Sequence, residues 1–192
     1  LRRKYKAANE TPSRRSLAVL DIEWSLKEPH EPMTLLCLSM KNKALVAVNK
    51  SLVAGYHNQV ERLREAMNEY IGDLLKERNI DVDKIDIRLC NDEAEMLYAF
   101  AECAHAWRPD FIGTWSITAE LDKFIDIADR YQLDLGDILS DPSVPKEYRK
   151  FKFKKGRLTH VSKAMRTTTL RLEKQWHTVF VPASFYFICM MS

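Results

Sequence analysis

The sequence contains few of the residues that break or cross-link a chain. Only 5 glycines and 7 prolines occur among 192 residues, which excludes a collagen-like, linker-rich or low-complexity protein. The remainder is ordinary globular composition, with 46% hydrophobic and 30% charged residues. A chain of this length and composition can bury a sizeable hydrophobic core, so we expect one domain with short appendages.

Cysteine is also scarce, and its spacing excludes two classes of small domain. The four cysteines, Cys37, Cys90, Cys103 and Cys189, include no closely spaced pair. Structural zinc sites and disulfide-rich scaffolds need closer or more regular spacing. Because these cysteines lie among apolar neighbours, we expect buried free thiols in a reducing compartment.

Long apolar segments are missing as well. The first residues are basic and polar with no apolar run behind them, so no secretory signal is predicted. The apolar stretch at residues 179–191 is too short to span a bilayer and contains Pro182. We therefore expect a soluble intracellular protein without a membrane partner, in the cytoplasm of a prokaryotic or virus-infected cell.

Charge is unevenly distributed, although the formal net charge is only +3. Residues 1–15 hold six Lys or Arg against one Glu, and residues 146–174 hold eleven against two Glu, so the segment between them is acidic. An acidic body with basic segments is typical of a metal-using protein that holds a polyanion at its edge. Solvated basic loops are the simpler explanation of the charge taken alone.

The hydrophobic pattern predicts an α/β protein with a mixed sheet. We expect strands at residues 17–24, 33–40, 44–48, 84–90 and 110–115, and helices at 56–78, 92–107 and 119–131, the last capped by Thr118. Three consecutive strands followed by β-α-β crossovers build a sheet ordered 3-2-1-4-5 with helices on its faces.

The pattern changes after residue 132. A short helix is predicted at residues 133–139, a basic β-hairpin at 151–160 around Lys155-Gly156, a strand at 177–181 and a helix from Ala183 onward. Residues 1–15 have no periodic apolar pattern and are predicted to be an arm or linker, which leaves 16–192 as the domain. The chain begins with Leu and stops in mid-pattern, so we expect a piece of something longer.

Asp21 and Glu23 are the first candidates for chemistry. They stand two residues apart in a predicted strand, so both side chains leave the same face of the sheet. Two adjacent carboxylates repel each other unless a cation lies between them, and a hard divalent cation binds through oxygen ligands alone. The alternative interpretation is that the strand ends there and both acids are solvated.

Asp122 is the third candidate. It lies in the first turn of the helix predicted after the strand at 110–115, where an acid also favours the helix dipole without any other role. If the strand at 17–24 is central, this helix can return across its end and bring Asp122 to Asp21 and Glu23. Three carboxylates with two Mg²⁺ ions can activate water for phosphodiester hydrolysis. Asp126 is the substitute if the helix register is shifted.

Two motifs resemble those of the 3′–5′ proofreading exonuclease domain of family B DNA polymerases, which is DnaQ-like and ribonuclease H-like. Leu17–Trp24 (LAVLDIEW) is similar to the family's first exonuclease motif, Asp-x-Glu in a strand. Residues 108–130 (RPDFIGTWSITAELDKFIDIADR) are similar to its second motif, which usually reads Pro-Asp-Val-Ile-x-Gly-Trp-Asn and continues to an Asp and a helix. The order of the motifs and their separation also fit.

The resemblance implies a ribonuclease H-like fold with a five-stranded mixed sheet, in which the basic β-hairpin predicted from the residue pattern would be an insertion. It also implies a two-metal exonuclease in which Asp21, Glu23 and Asp122 are the metal ligands and catalytic residues, with Mg²⁺ or Mn²⁺ as the cofactor. The implied partners are the single-stranded 3′ end of DNA and a polymerase domain in the same longer chain.

A frayed 3′ end is held by stacking and backbone contacts rather than by base-specific contacts. We therefore predict substrate contacts from four residues near the acids, and phosphate contacts from the basic hairpin. Burial in the core is the simpler explanation for the aromatic members of this group. The four are Trp24, Trp115, Ser116 and Phe124.

Three features depart from the family pattern. Ser116 stands where Asn is usual, with one extra residue before Asp122, and Leu121 replaces the usual aromatic residue. The third motif, Tyr-x-x-x-Asp, does not occur in the chain, and we expect it beyond Ser192. These departures leave two alternatives open: a catalytically inactive ribonuclease H-like module that binds nucleic acid or a partner, and a free-standing DNA or RNA nuclease.

Overall fold

A computed structural model describes residues 15–26, 31–154, 178–180 and 186–189. Side chains are described within these ranges as far as Phe151, apart from that of Thr118. Residues 1–14 of the predicted arm lie outside the described residues. The same is true of the predicted hairpin turn at Lys155-Gly156.

The described residues form an α/β architecture, which confirms the predicted fold class. The strands are β1 (Leu17–Trp24), β2 (Met33–Met40), β3 (Lys43–Asn49), β4 (Asp86–Cys90), β5 (Phe111–Thr114), β6 (Lys152–Lys154), β7 (Thr178–Phe180) and β8 (Tyr186–Cys189). The α-helices are α1 (Gln59–Glu77), α2 (Glu93–Trp107), α3 (Ile117–Tyr131) and α4 (Leu135–Leu139). Short 3₁₀ helices lie at Lys50–Val53, Val82–Lys84 and Lys146–Tyr148.

The main sheet has the strand order β4-β3-β2-β1-β5-β8. β1 pairs antiparallel with β2, and β2 pairs antiparallel with β3. The pairs β3–β4, β1–β5 and β5–β8 are parallel. The strand that carries Asp21 and Glu23 is therefore an interior strand of the sheet, as predicted.

The predicted order 3-2-1-4-5 was wrong for β4. That strand lies at the outer edge beside β3, because the crossover through α1 returns the chain to β3 and not to β1. β5 lies beside β1, and β8 lies beside β5. The residues of β8, Tyr186–Cys189, were predicted to be helical, so that prediction was wrong. With β4 set aside, the remaining order, β3-β2-β1-β5-β8, has the predicted pattern of strand directions and is consistent with a ribonuclease H-like fold.

β6 and β7 form a separate two-stranded antiparallel sheet, with Lys152 opposite Phe180. The strand predicted at residues 177–181 is confirmed as β7. The first arm of the predicted basic hairpin is confirmed as β6, but it pairs with β7, more than twenty residues further along the chain. The predicted second arm, at residues 157–160, lies outside the described residues.

The core lies between the sheet and helices α2 and α3. On β1, the buried residues Ala18, Leu20 and Ile22 belong to one cluster with residues of both helices. The rings of Phe100 on α2 and Phe124 on α3 meet at the centre of this layer, with centroids 5.4 Å apart. Since strand side chains alternate between the two faces, burial of these residues turns the other residues of β1 to the opposite face.

α3 begins two residues earlier than predicted. Its N-cap is Ser116 in place of Thr118, and its first residue is Ile117, whose side chain is buried in the core cluster. The burial of Ile117 explains the earlier start. In the helical conformation, this apolar side chain lies on the face of α3 that packs against the sheet. As a result, the first-turn acid of α3 is Glu120, and Asp122 lies in the second turn.

The other two long helices agree with prediction within the usual uncertainty at helix ends. α1 lies inside the predicted range, and α2 is capped by Asp92, whose side chain accepts a hydrogen bond from the backbone N–H of Glu95. In the part of the chain that the structure describes, every helix is too short or too polar to cross a bilayer.

Candidate active site

Asp21 and Glu23 project from the same face of β1, as predicted. Both are exposed, and they alternate with Leu20 and Ile22, which are buried in the core. In the register with β2, Asp21 lies opposite Cys37, and the pairing becomes irregular between Glu23 and Trp24. β1 ends at Trp24, one residue after Glu23, so the alternative in which both acids are solvated near the end of the strand stays open.

The thiol of Cys37 is affected by the charges of both acids. The pKa of Cys37 is raised to about 11, mainly by burial and in addition by the negative charges of Asp21 and then Glu23. A thiolate would be a third negative charge beside two carboxylates, which explains the direction. The region around Asp21, Glu23 and Cys37 thus has a negative electrostatic potential that favours a cation.

The start of α3 lies beside this region. The parallel register of β1 and β5 ends with Leu20 paired to Thr114, one residue before Asp21. The chain then passes through Trp115 and Ser116 and enters α3. The short connection from Thr114 to Ile117 therefore places the N-terminus of α3 at the end of the sheet that carries Asp21.

Glu120, in the first turn of α3, is the helix acid that interacts with Asp21. Burial is the main cause that raises the pKa of Glu120, hydrogen bonds from its own backbone N–H and that of Ser116 oppose the rise, and repulsion from Asp21 adds to it. Oε1 of Glu120 accepts the Ser116 N–H at 3.3 Å. Oε2 is buried and has no hydrogen-bond partner among the described residues.

Asp122 lies elsewhere on α3, half-buried at the wall of a cleft of about 420 Å³. Asp21 and Glu23 do not line this cleft, whose other lining residues are Trp24, Glu31, Ala119, Lys123, Asp126 and Arg130. Within the described ranges, no group of three His, Cys, Asp or Glu residues is arranged to hold a metal ion. The convergence of Asp122 with Asp21 and Glu23 remains a prediction.

The cleft combines an aromatic surface with buried and half-buried charges. Nζ of Lys123 lies 5.5 Å from the ring centroid of Trp24, a cation–π distance, and donates a hydrogen bond to the backbone oxygen of Glu31 at 2.7 Å. Asp126 is 4.0 Å from the same Nζ. A cleft of this composition can accept a ligand that has both a flat ring and a charged group.

The back of the cleft is fixed by a buried carboxylate. Oε1 of Glu93 on α2 accepts the backbone N–H of Met33 at 2.6 Å, and Oε2 accepts Nη1 of Arg130 at 2.6 Å. Arg130 also binds Asp126 at 3.2 Å. One side chain therefore joins α2, α3 and the start of β2, and it holds the Arg130 side of the cleft in place.

The four residues predicted to contact substrate lie in different environments. Trp115 is 63% exposed at the end of β5, Trp24 is half-buried at the cleft, and Ser116 is half-buried at the start of α3. Phe124 is completely buried against Phe100. A side chain with no accessible surface cannot stack on a nucleotide base, so Phe124 belongs to the core and the predicted contact does not fit its position.

Sequence reasoning missed four residues of this region. Glu120 stands four residues after Ser116, one more than the spacing of a capping box, so its hydrogen bond from the Ser116 N–H had only a weak local signal. Glu93, Lys123 and Arg130 had none, because their partners are 37 to 92 residues away in the sequence. Pairings over such separations are set by the fold.

Comparison of the chain with family models and with curated proteins finds no match. A functional interpretation therefore depends on the geometry of this region and on the two motifs.

Proposed function

We propose that this chain is the 3′–5′ exonuclease domain of a family B DNA polymerase, which removes nucleotides from the 3′ end of DNA for proofreading. The observation that carries the proposal is the position of the Asp-x-Glu pair. Both carboxylates are exposed on one face of an interior strand, and α3 begins at the end of the neighbouring parallel strand. The ribonuclease H-like sheet and the two motifs support the same function.

The acids of this region have the donor chemistry that Mg²⁺ and Mn²⁺ require. Carboxylate oxygens are the preferred protein ligands of such hard cations, and a buried carboxylate oxygen of Glu120 has no donor in the described part of the chain. We assign Asp21, Glu23 and Asp122 to hold two ions. Bound ions would supply a water of lowered pKa and stabilise the charge on the leaving oxygen.

The remaining residues would hold the substrate. Trp115 offers an exposed aromatic surface close to Asp21, and stacking of a base on such a surface is tolerant of sequence. Trp24 and Lys123 offer a second surface, where a ring can lie against the indole and a phosphate near the ammonium group. A site that makes few base-specific contacts with the terminal nucleotide suits a proofreading enzyme. The polymerase domain would lie in the same longer chain.

The proposal is tested by Mn²⁺ binding to the 192-residue chain, followed by isothermal titration calorimetry or by the electron paramagnetic resonance signal of free Mn²⁺. Binding is the first measurement because the family's third motif does not occur in the chain. We expect binding to be lost in Asp21→Ala and in Glu23→Ala. Asp73→Ala is the matched control, because Asp73 is fully exposed on α1. Undiminished binding by the Asp21 variant would refute the proposed site.

A second candidate is a ribonuclease H-like module that binds nucleic acid without cleaving it. It is favoured by the lack of a three-residue metal-binding group among the described residues. For such a module, we expect a single-stranded oligonucleotide to quench the tryptophan fluorescence of the protein, and we expect no Mn²⁺ binding. Shortening of a 5′-labelled oligonucleotide from its 3′ end would exclude this second candidate, provided that the shortening requires both Mn²⁺ and Asp21.

A further inference from the structure

We propose that the open groove between the end of α3 and α4, the α3–α4 groove, is a docking site for a partner protein. The partner inserts an apolar side chain that is flanked by Lys or Arg. The groove has a volume of about 500 Å³ and shares no lining residue with the cleft at Trp24. The inference therefore goes beyond the proposed function and does not depend on it.

The inner surface of the α3–α4 groove is apolar. Two of its lining residues, Ala128 and Leu135, are buried members of the core cluster. Ile125, Leu133 and Phe151 also line it, and they are half-buried and pack against the same cluster. Each of these three keeps part of its side chain accessible, so an apolar side chain that enters the groove meets carbon atoms from several directions. Removal of apolar surface from water is the main favourable contribution to most protein association.

The groove is already formed before any partner binds. At the end of α3, the backbone N–H of Leu133 donates to the backbone oxygen of Ala128 at 2.8 Å, which fixes the turn out of the helix. On α4, a Cβ at Gly136 would lie 3.0 Å from the backbone oxygen of Arg149. Glycine at this position therefore allows the chain that leads to Phe151 to pack closely on α4. A preformed groove loses little conformational freedom on binding.

Two exposed carboxylates, those of Asp129 and Asp134, line the groove beside the apolar residues. Within the described ranges, neither forms an ion pair, whereas the nearby Asp137 pairs with Lys146 at 3.2 Å. Asp134 caps α4 through Oδ1, which accepts the Gly136 N–H. Asp129 lies in the last turn of α3, where an acid interacts unfavourably with the helix dipole, so its charge does not stabilise that helix. The rim of the groove thus has a negative potential that the protein leaves uncompensated there.

The two features together select the partner. A nucleic-acid backbone would be repelled by the carboxylates of Asp129 and Asp134, so the groove is unsuited to extend the proposed DNA surface. A peptide segment with an apolar side chain next to Lys or Arg satisfies both features. Its apolar side chain fills the groove, and its cations lie at the rim, as in interfaces that have an apolar centre and a polar rim.

The test measures binding of a fluorescein-labelled peptide, Gly-Lys-Arg-Leu-Phe-Lys-Arg-Gly, to the 192-residue chain by fluorescence anisotropy. One comparison peptide replaces Leu-Phe with Ser-Ser, and a second replaces every Lys and Arg with Glu. We expect the basic apolar peptide to bind at least about tenfold more tightly than either comparison peptide, because each of them lacks one of the two features. Equal binding of the Leu-Phe and Ser-Ser peptides would overturn the proposal, and so would no binding of the basic apolar peptide.

Variants of the rim locate the binding. Asp129→Lys suits the helix dipole, and we expect it to weaken binding of the basic peptide at least about fivefold and to strengthen binding of the Glu peptide. Asp134→Asn keeps a good helix cap while it removes the charge, and it should weaken the basic peptide about threefold. Asp73→Lys is the matched control, because it makes the same change in net charge at a fully exposed position on α1, outside the groove. Equal weakening by Asp129→Lys and Asp73→Lys would show general electrostatic attraction only and would overturn the docking site.

Discussion

Arg130 of α3 and Glu93 of α2 form an ion pair in which Nη1 and Oε2 are 2.6 Å apart and the Glu93 side chain is almost completely buried. The pair is the main cause of a raised pKa of Arg130. Because the second Glu93 oxygen accepts the Met33 N–H, the carboxylate is satisfied from two directions. Its charge is tolerated in the interior only while both donors remain.

The first prediction concerns this pair. Arg130→Met keeps most of the side-chain volume but leaves a buried carboxylate with one donor, so we expect the free energy of unfolding to fall by about 3 kcal/mol. Urea denaturation measures the change. Asp126→Ala is the control, because it removes the exposed carboxylate that pairs with both Arg130 and Lys123 and should cost less than about 1 kcal/mol. Equal small losses in the two variants would contradict a structural role for Glu93.

A second prediction separates the core aromatic from the exposed one. Phe124→Ala removes a fully buried ring that packs on Phe100, so we expect a loss of about 3–5 kcal/mol of unfolding free energy. Trp115→Ala should cost less than about 1 kcal/mol, because most of its side chain is already in water. Under the proposed function, this same variant binds a single-stranded oligonucleotide more weakly, as measured by fluorescence anisotropy. Unchanged oligonucleotide binding would remove Trp115 from the substrate surface.

The third prediction is a pH dependence at the base of β1. The Asp110 carboxylate accepts hydrogen bonds from the N–H and hydroxyl of Ser16, at 2.7 and 3.0 Å, and from Arg15 at 3.2 Å. The Ser16 backbone N–H is the main cause that lowers the pKa of Asp110 below its ordinary value of 3.8. A lowered pKa contributes stability that is present above the ordinary value and is lost as pH falls through the lowered one.

Asp110→Asn should therefore have a lower Tm than the wild-type chain at pH 7, and the difference should shrink as the pH falls below about 4. Thermal unfolding of both proteins from pH 7 to pH 2 gives the comparison. Asp73→Asn is the matched control, because Asp73 is fully exposed on α1, and we expect its Tm to stay close to that of the wild-type chain at every pH. A Tm difference for Asp110→Asn that is constant with pH would show that the charge of Asp110 contributes nothing.

Much of the fold could be predicted because the pattern of apolar and polar residues within each strand and helix is local. Alternation of buried and exposed residues fixed the shared face of Asp21 and Glu23, and helical periodicity located α1 and α2. The order of strands could not be predicted to the same extent. After a crossover connection, the next strand can join the sheet on either side. The sequence of residues 86–90 does not indicate that this strand pairs with β3.

The site was less predictable, for a related reason. The start of α3 depends on the burial of Ile117 against residues far away in sequence, and a shift of two residues changes which acid occupies the first turn. The short apolar run of β8 was assigned as a helix because periodicity alone does not separate a short buried strand from a helical segment. Helix boundaries and short apolar runs are therefore the points where tertiary packing decides.

The fourth prediction uses Cys37 as a probe of the charges beside it. With a pKa of about 11, only on the order of one thiol in a thousand is ionised at pH 8, so alkylation by iodoacetamide should be slow and should accelerate about tenfold per pH unit up to that value. Asp21→Asn removes a negative charge opposite Cys37, which lowers the thiol pKa and increases the rate. Because burial is the larger cause, we expect an increase of less than about tenfold.

Peptide mass spectrometry after timed labelling distinguishes Cys37 from Cys90 and Cys103, which also have pKa values raised by burial. Asp73→Asn serves as the control, because it removes an equivalent charge from the fully exposed side of α1 and should leave the Cys37 rate unchanged. If Asp21→Asn leaves the rate at Cys37 unchanged as well, the carboxylate of Asp21 does not act on the thiol across the β1–β2 pair. Such a result would also weaken the case for a negative potential strong enough to attract a divalent cation.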